Sequence, residues 1–247
     1  MLERKELDRY GPPGFSLGQK EKDYLQYWML SFFSRSGSGG VFKGGTCLQK
    51  AYGLPRYSED LDFTLGDGPV PDFQALSGFL ASTGIQATVK TSEANVSISA
   101  KIRCRGPLFN GNQISESTVS LDFSRRETSV LAPEPLSINS PYPDILPYSL
   151  KVMDRKEIAA EKIRAIFTRT SARDLFDLYF LIRSGVSLDL DLVGKKLEYY
   201  ELKFSFLELE KRIAKLEKPW KTEMRALTPS PADYQVAAQT VLSEAGK

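Results

Sequence analysis

The chain has 247 residues, 41% of them hydrophobic and 26% charged, which is enough to bury the core of one large domain or two small ones. Its net charge of +2 excludes the strongly basic balance of a chain that binds nucleic acid over its whole surface, although local basic patches remain open. The absence of histidine excludes a Ser-His-Asp triad, a Cys-His pair and histidine metal ligands, and the two cysteines match neither a disulfide framework nor a zinc-binding spacing.

No segment of the sequence has the features of a membrane or export signal. The N-terminus, Met-Leu-Glu-Arg-Lys-Glu, lacks the apolar core of a signal peptide. No apolar run reaches the length of about 18 residues that a membrane-spanning helix needs. We therefore expect a soluble, cytoplasmic protein that does not associate with a membrane.

The N-terminal elements alternate between helix and strand. A broad apolar stripe predicts a helix over residues 20–35, which a glycine-rich stretch then ends. Val41-Phe42 is typical of a short buried strand. Gly44-Gly45-Thr46 breaks that strand, and a short helix is predicted from Cys47 to Tyr52, stopped by Gly53.

Three further stretches alternate between apolar and polar residues, the period of half-buried strands. The apolar members are Leu61, Phe63 and Leu65 in the first stretch, Val96 to Cys104 at every second position in the next, and Val119, Leu121 and Phe123 in the last. A helix is predicted from Phe73 to Leu80, and a strand near 86–90 is expected to pair with the second stretch.

The remainder of the chain divides at a proline-rich segment. Residues 130–150 contain five prolines, which indicates an extended crossover between two domains. We expect an α/β domain over 1–150 and a helical domain over 151–247 that completes the active-site cleft. The predicted helices of the second domain are 155–169, 173–184, 189–203, 205–217 and 231–244, with Gly185 and Pro219 as breaks.

Asp60 and Asp62 form a carboxylate pair at one end of a predicted strand. Because they lie two residues apart, both side chains are expected on one face, while Leu61 and Phe63 point into the core. Such an oxygen-only site suits Mg²⁺ or Mn²⁺ together with substrate phosphates. Asp122 lies in a similar strand and would join the pair if the two strands are neighbours. A solvated edge strand is the alternative explanation.

Gly44-Gly45-Thr46 could hold a phosphate. Glycine lets the backbone approach a ligand closely, and the helix that follows offers free N–H groups and the positive end of its dipole. The Thr46 hydroxyl could donate a further hydrogen bond. An ordinary strand-to-helix turn is the alternative, but thirteen residues separate Thr46 from Asp60, and the order and spacing of the two motifs are more specific than either alone.

Lys162 lies in the middle of an apolar helix stripe, four residues after Ile158 and four before Ile166. A lysine at such a position is either buried with a partner or directed into a cleft, where it would neutralise triphosphate oxygens. The alternative is a side chain that extends to solvent at the margin of the stripe, near Glu157 or Glu161.

The two motifs together resemble the nucleotidyltransferase toxins of the AbiEii/MenT type, in the DNA polymerase β-like superfamily. The resemblance rests on Phe42-Lys43-Gly44-Gly45-Thr46 and on Tyr52-Gly53-Leu54-Pro55-Arg56-Tyr57-Ser58-Glu59-Asp60-Leu61-Asp62-Phe63. Thr46 stands where that superfamily usually has serine. Asp122 matches the third carboxylate by its context. The resemblance implies an α+β fold, in which a polymerase-β-like sheet with helices precedes a helical C-terminal domain.

A second region carries the same resemblance. Glu161-Lys162, Arg169 and Arg173-Asp174-Leu175-Phe176-Asp177 follow the AbiEii pattern, in which the matching lysine binds the nucleotide and an aspartate acts as a base or positioning group. Asp174 near a helix start is also explained by capping alone. Asp177, between Phe176 and Leu178, is harder to explain in that way.

The resemblance implies Mg²⁺-dependent transfer of NMP from an NTP to an acceptor such as a tRNA 3′ end, with release of pyrophosphate, and a cognate antitoxin. Metal ligands would be Asp60, Asp62 and Asp122; nucleotide-binding groups would be Gly44, Gly45, Thr46, Arg56, Ser58 and Lys162; Asp174 and Asp177 would complete the catalytic set. For Arg56 the alternative is an ordinary surface charge. Two other functions remain open: NMP transfer to a protein side chain, and a non-catalytic module that binds NTP or RNA.

Overall fold

The computed structural model describes all 247 residues, and its backbone divides into two compact units. The first, here called the sheet unit, comprises Met1–Gly53, Tyr57–Ser129 and Pro133–Val152. The second, the helical unit, comprises Leu54–Arg56, Val130–Ala132 and Met153–Lys247. Two short segments of the first 150 residues therefore belong to the helical unit. No helix in the chain combines the length and apolarity needed to span a bilayer.

The sheet unit contains four α-helices, one turn of 3-10 helix (Gln113–Ser115) and a seven-stranded sheet. In chain order its elements are α1 (Arg4–Tyr10), α2 (Leu17–Ser36), β1 (Val41–Lys43), α3 (Gly44–Tyr52), β2 (Leu61–Thr64), α4 (Phe73–Ser82), β3 (Gln86–Ala94), β4 (Ser97–Arg105), β5 (Ser117–Ser124), β6 (Glu134–Ile138) and β7 (Tyr148–Val152). The strand order is β3-β4-β5-β2-β1-β7-β6. Strands β2 and β5 are parallel, as are β1 and β7, and the other neighbouring pairs are antiparallel.

Aromatic side chains from α2 and the central strands form the core of the sheet unit. The rings of Phe63 and Phe123 are stacked with centroids 4.9 Å apart, and Phe33 of α2 contacts both edge-on at 5.2 and 5.8 Å. Because successive strand residues point to opposite faces, burying Phe63 and Phe123 places Asp62 and Asp122 on the other face. The alternation predicted from the sequence is thus confirmed and fixes the orientation of both carboxylates.

The proline-rich segment differs from the prediction. Residues 130–150 are not only an extended crossover, because they contain β6 and most of β7, which pair antiparallel. Pro135 lies within β6, which is the edge strand of the sheet. Proline cannot donate to a strand ladder, and an edge strand tolerates it because one side of its backbone has no neighbour.

The helical unit contains six helices: α5 (Arg155–Thr168), α6 (Ala172–Arg183), α7 (Leu190–Glu198), α8 (Phe206–Lys215), α9 (Glu217–Leu227) and α10 (Tyr234–Ala245). The five predicted helices are present, with α7 shorter than expected. The predicted break at Pro219 is wrong, because α9 begins at Glu217 and includes this proline in its first turn. The N–H groups of a first turn have no intrahelical acceptor, so a proline there removes no hydrogen bond.

Glu157 of α5 joins the segment Val130–Ala132 to the helices of this unit. Its carboxylate accepts hydrogen bonds from the backbone N–H groups of Val130 and Leu131, both at 2.9 Å. Lys196 of α7 lies 2.6 Å from the same carboxylate and 3.4 Å from that of Glu161. Glu157 and Glu161 therefore form ion pairs with Lys196 and not with Lys162.

A buried ion pair holds α3 against α2 in the sheet unit. The ammonium group of Lys50 lies 2.7 Å from Oδ1 of Asp23, and both side chains are inaccessible to solvent or nearly so. The Tyr142 hydroxyl donates to the other carboxylate oxygen at 2.9 Å. Burial lowers the pKa of Lys50, and the charge of Asp23 opposes that shift.

We predict that Lys50→Met destabilises the protein by about 3–5 kcal/mol, because it leaves the charge of Asp23 buried without its partner. Asp23→Asn/Lys50→Met should be less destabilised than Lys50→Met alone, since the amide is neutral and retains an oxygen for the Tyr142 hydroxyl. Urea unfolding followed by circular dichroism measures both differences. Equal losses in the single and double variants would contradict this account of the pair.

Candidate active site

The two central carboxylates lie side by side on neighbouring parallel strands. Asp62 of β2 is directly opposite Asp122 of β5 in the strand register. Neighbouring strands are about 4.8 Å apart, so both side chains project from one face at close range. Both residues are half-buried, and the Ser99 hydroxyl of β4 donates to Oδ2 of Asp122 at 3.0 Å. The two strands are therefore neighbours, which is the condition under which Asp122 was expected to join the other carboxylates.

Asp60 differs from the other two carboxylates in its position. It precedes β2 instead of lying within it, and it is exposed. The structure contains no group of three or more acidic or cysteine side chains arranged to hold a metal ion. However, Mg²⁺ usually takes only one or two protein carboxylates and completes its shell with water and substrate phosphates. The oxygen-only set of Asp62 and Asp122 fits that chemistry.

Gly44 brings the start of α3 against the carboxylate of Asp62. The Gly44 backbone has φ +77°, a conformation that L side chains rarely adopt. A Cβ atom at this position would lie 2.4 Å from Oδ2 of Asp62. Glycine is therefore needed here for both its backbone angle and its lack of a side chain. The start of α3 consequently lies close to the carboxylate.

Two side chains fix the backbone that leads into β2. The side-chain amide of Gln26, on α2, donates to the carbonyl oxygens of Ser58 at 3.0 Å and Glu59 at 2.8 Å. The Thr46 hydroxyl, on α3, donates to the carbonyl of Asp60 and lies 2.8 Å from the Ser58 hydroxyl oxygen. Three successive carbonyl groups are thus held by α2 and α3, which positions the carboxylates that follow.

The side chains of Gln26 and Thr46 are both fully buried. Thr46 was expected to donate to a phosphate, but in this structure its hydroxyl is turned toward Ser58 and Asp60. Gln26 was not identified from the sequence. Its neighbours Leu25 and Tyr27 are themselves buried, and an amide inside an apolar helix face shows no partner until the fold is known.

A second cluster of charged groups lies in the helical unit, centred on Asp177 of α6. Arg56 donates to both oxygens of Asp177, with Nε at 2.6 Å from Oδ1 and Nη2 at 2.7 Å from Oδ2. Lys162 of α5 lies 2.6 Å from Asp177 and 3.0 Å from Asp174. Arg169 forms a fork with Asp174 at 2.8 and 2.9 Å. Three cations therefore alternate with two carboxylates.

This geometry decides between the alternatives for Lys162 and Arg56. Lys162 does not extend to solvent at the edge of the stripe, because it is buried with two aspartates. Arg56 is only 2% exposed, so it is not an ordinary surface charge. Arg169 belongs to the cluster but was noted in the sequence only as part of a pattern.

The ion pairs of the cluster dominate its electrostatics. Burial alone would raise the pKa of Asp174, but Lys162 and Arg169 outweigh burial and hold that pKa below its usual value. Burial likewise opposes ionisation of Asp177, but Arg56 and Lys162 lower its pKa. Asp177 in turn helps to raise the pKa of Lys162 against the effect of burial. All these groups are consequently charged near neutral pH.

We predict that Asp177→Asn costs about 3–5 kcal/mol at neutral pH, because Arg56 and Lys162 lose their shared buried counter-charge. The folded pKa of Asp177 lies below its unfolded value of about 4. Its stabilising contribution is therefore present above that pH and is lost as the pH falls through the folded pKa. The difference between the two proteins should shrink below about pH 4. Urea unfolding at several pH values measures this trend.

The exposed Asp191→Asn on α7 is a matched control for that experiment. It makes the same chemical change outside the cluster, so it should alter stability by less than about 1 kcal/mol. A loss for Asp177→Asn that stays constant down to pH 3 would contradict the assignment of its stabilising role to the ionised carboxylate.

Comparison with solved structures shows which proteins share this fold. MenT4, a nucleotidyltransferase toxin from Mycobacterium tuberculosis H37Rv, superposes with a TM-score of 0.66 at 21% identity, covering 99% of this chain and 88% of that one. JHP933 from Helicobacter pylori superposes with a TM-score of 0.61 at 23% identity, covering 91% and 89%. At these identities the likeness is one of fold, and it agrees with the predicted α+β class.

Sequence comparison gives the family. No match is found among curated proteins. The sequence profile described as "Nucleotidyl transferase AbiEii toxin, Type IV TA system" matches residues 32–242, a range that includes every site residue predicted from the sequence. The chain therefore belongs to the AbiEii family of nucleotidyltransferase toxins of type IV toxin-antitoxin systems.

Proposed function

We propose that this nucleotidyltransferase transfers NMP from an NTP to an acceptor hydroxyl such as a tRNA 3′ end, in a reaction that depends on Mg²⁺ and releases pyrophosphate. One observation carries the proposal: Asp62 and Asp122 are opposite one another on parallel strands, and Gly44 brings a helix start against Asp62. That arrangement combines carboxylates for a metal with N–H groups for a phosphate chain.

Asp62 and Asp122 would hold Mg²⁺ or Mn²⁺, and Asp60 would assist from the start of β2. When bound, the metal supplies positive charge that clamps phosphate oxygens and stabilises the charge that develops on the attacking and leaving oxygens. Asp122 would also orient the acceptor hydroxyl. Its own carboxylate is steadied by the hydrogen bond from Ser99.

The backbone of Gly44, Gly45 and Thr46 would bind the triphosphate. These residues open α3, where N–H groups lack intrahelical acceptors and the helix dipole favours negative charge. The Thr46 and Ser58 side chains would contribute indirectly, because their hydroxyls hold each other and the loop before β2. Thr46 would thus serve the site through its backbone.

The residues of the helical unit would serve the same reaction. Lys162 would neutralise triphosphate oxygens, and Asp177 with Asp174 would orient Lys162 and Arg56. A general base works best when its pKa lies near the operating pH. Since their ion pairs lower the pKa of both aspartates, positioning suits them better than proton abstraction.

A cognate antitoxin is the expected protein partner, because the family is that of toxins of type IV toxin-antitoxin systems.

The decisive experiment incubates the full chain with Mg²⁺, each labelled NTP and total RNA, followed by separation of RNA from protein. We expect label on RNA, loss of labelling with EDTA, and restoration with excess Mg²⁺. Asp62→Asn and Asp122→Asn should each lower the rate by about 10²-fold or more, because each removes a charge that serves the transition state. The exposed Asp67→Asn, which follows β2 in the sequence, should behave as wild type.

Three outcomes would refute part of the proposal. Label on protein would establish a protein side chain as the acceptor. Labelling unaffected by EDTA would exclude metal dependence. Equal rates in Asp62→Asn and wild type would exclude the carboxylate pair as part of the site.

We further predict that Gly44→Ala lowers the transfer rate by about 10²-fold, because its methyl group displaces the Asp62 carboxylate. Gly53→Ala is the matched control, since Gly53 has φ +76° and no atom lies within 4 Å of the point that an added methyl group would occupy. Both variants should lose about 1–2 kcal/mol of stability from the left-handed backbone. Only Gly44→Ala should lose activity, and a similar activity loss in both would contradict a specific role for Gly44.

A further inference from the structure

One face of strands β3, β4 and β5 is open and continues the surface that bears the carboxylates. One row of opposed residues crosses the sheet from its β3 edge to β2. It consists of Ser92 of β3, Ser99 of β4, Asp122 of β5 and Asp62 of β2. The opposite face of the same strands is buried, with Ile98, Ile102 and Val119 almost inaccessible. Polar residues therefore form an uncovered surface that reaches the candidate active site.

This open face is basic beside the carboxylates. Lys90 of β3 is directly opposite Lys101 of β4, and Lys101 is opposite Ser120 of β5. The next row pairs Thr88, Arg103 and Thr118. Strand spacing places β4 about 10 Å and β3 about 14 Å from β2, so an extended substrate held at Asp62 would reach these cations.

The opposed lysines lower the stability of the protein in the absence of a ligand. Like charges directly opposite each other on neighbouring strands destabilise a sheet. Both side chains are exposed, and neither forms an ion pair with an acidic residue. Farther along β4, Arg103 and Arg105 share the single carboxylate of Glu116 at 3.7 and 3.0 Å. The face therefore carries an excess of positive charge that the protein does not neutralise.

Protection of a sheet edge explains only part of this pattern. Charged residues on an edge strand discourage pairing with another chain, which would account for Lys90 on β3. Strand β4 is internal, so the same reasoning does not account for Lys101 or Arg103. A ligand with several negative charges would offset the repulsion among all of these cations at once.

We infer that the open face of β3, β4 and β5 is the docking surface for the phosphate backbone of the RNA acceptor. The lysines and arginines would contact phosphates, and the serine and threonine hydroxyls between them would donate hydrogen bonds. Such contacts position a strand without reading its sequence. The inference rests on the proposed function for the identity of the acceptor, and it adds the place where that acceptor lies.

The test compares Lys90→Gln/Lys101→Gln with Arg4→Gln/Lys5→Gln in the full chain. The control pair removes the same charge from exposed positions on α1, which packs against α2 and not on the open face. Binding of dye-labelled total tRNA is followed by fluorescence anisotropy over a range of salt concentrations. We expect the lysine pair to weaken binding on the order of tenfold at low salt and to lower the salt slope by about 1.4, and the control to match wild type.

A kinetic arm separates docking from chemistry. The lysine variant should raise KM for RNA while leaving KM for NTP and kcat unchanged. Its thermal stability should equal or exceed that of wild type, because a repulsive pair has been removed. A Lys101→Glu variant should weaken RNA binding further than Lys101→Gln does.

The anisotropy result is independent of the proposed reaction. RNA bound through the two lysines by a protein that labels no RNA would refute the proposed acceptor and uphold the docking surface. Equal tRNA affinity in the lysine pair and the control pair would overturn the docking surface, even if RNA is labelled, and would leave the face to an acidic protein partner.

Discussion

The candidate active site depends on two carboxylates, Asp62 and Asp122, being held side by side on adjacent parallel strands. Like charges at this distance repel, so their positions must be fixed by interactions elsewhere. The stacked rings of Phe63 and Phe123 provide this constraint, because their burial under α2 orients the preceding residue of each strand toward the opposite face. The hydrophobic core thus determines where the negative charge of the site lies.

The surrounding helices add a second level of constraint. Gln26 and Thr46 hold the carbonyl groups of residues 58–60, while the Lys50–Asp23 pair locks α3 to α2. Buried side chains supply all of these contacts, so water competes little for them: Gln26, Thr46, Lys50 and Asp23. The start of α3 and the start of β2 are therefore supported by the same two helices. These contacts support the close approach of Gly44 to Asp62.

The sequence predicts the parts of this arrangement that follow a local period. The alternation of apolar and polar residues predicted which residues of β2, β4 and β5 share a face. The apolar stripes predicted most of the helices. The order and spacing of the motifs indicated the family. The sequence did not predict β6 and β7, because prolines are tolerated on an edge strand, and only the sheet order reveals an edge. The roles of Gln26 and Arg56 depend on partners more than thirty residues away in the chain, which no local pattern contains.

The same face of the sheet carries two like-charge pairs of opposite sign. Asp62 with Asp122 and Lys90 with Lys101 each place equal charges on directly opposed residues, an arrangement that lowers the stability of the free protein. A fold selected for stability alone would interleave these charges, as the helical unit does with Arg56, Asp177, Lys162, Asp174 and Arg169. We propose that ligands balance the segregated charge on the sheet instead: a cation with its nucleotide at the carboxylates, and a polyanion at the lysines. The helical unit thus balances most of its charge internally, whereas the sheet unit carries charge that the proposed substrates would balance.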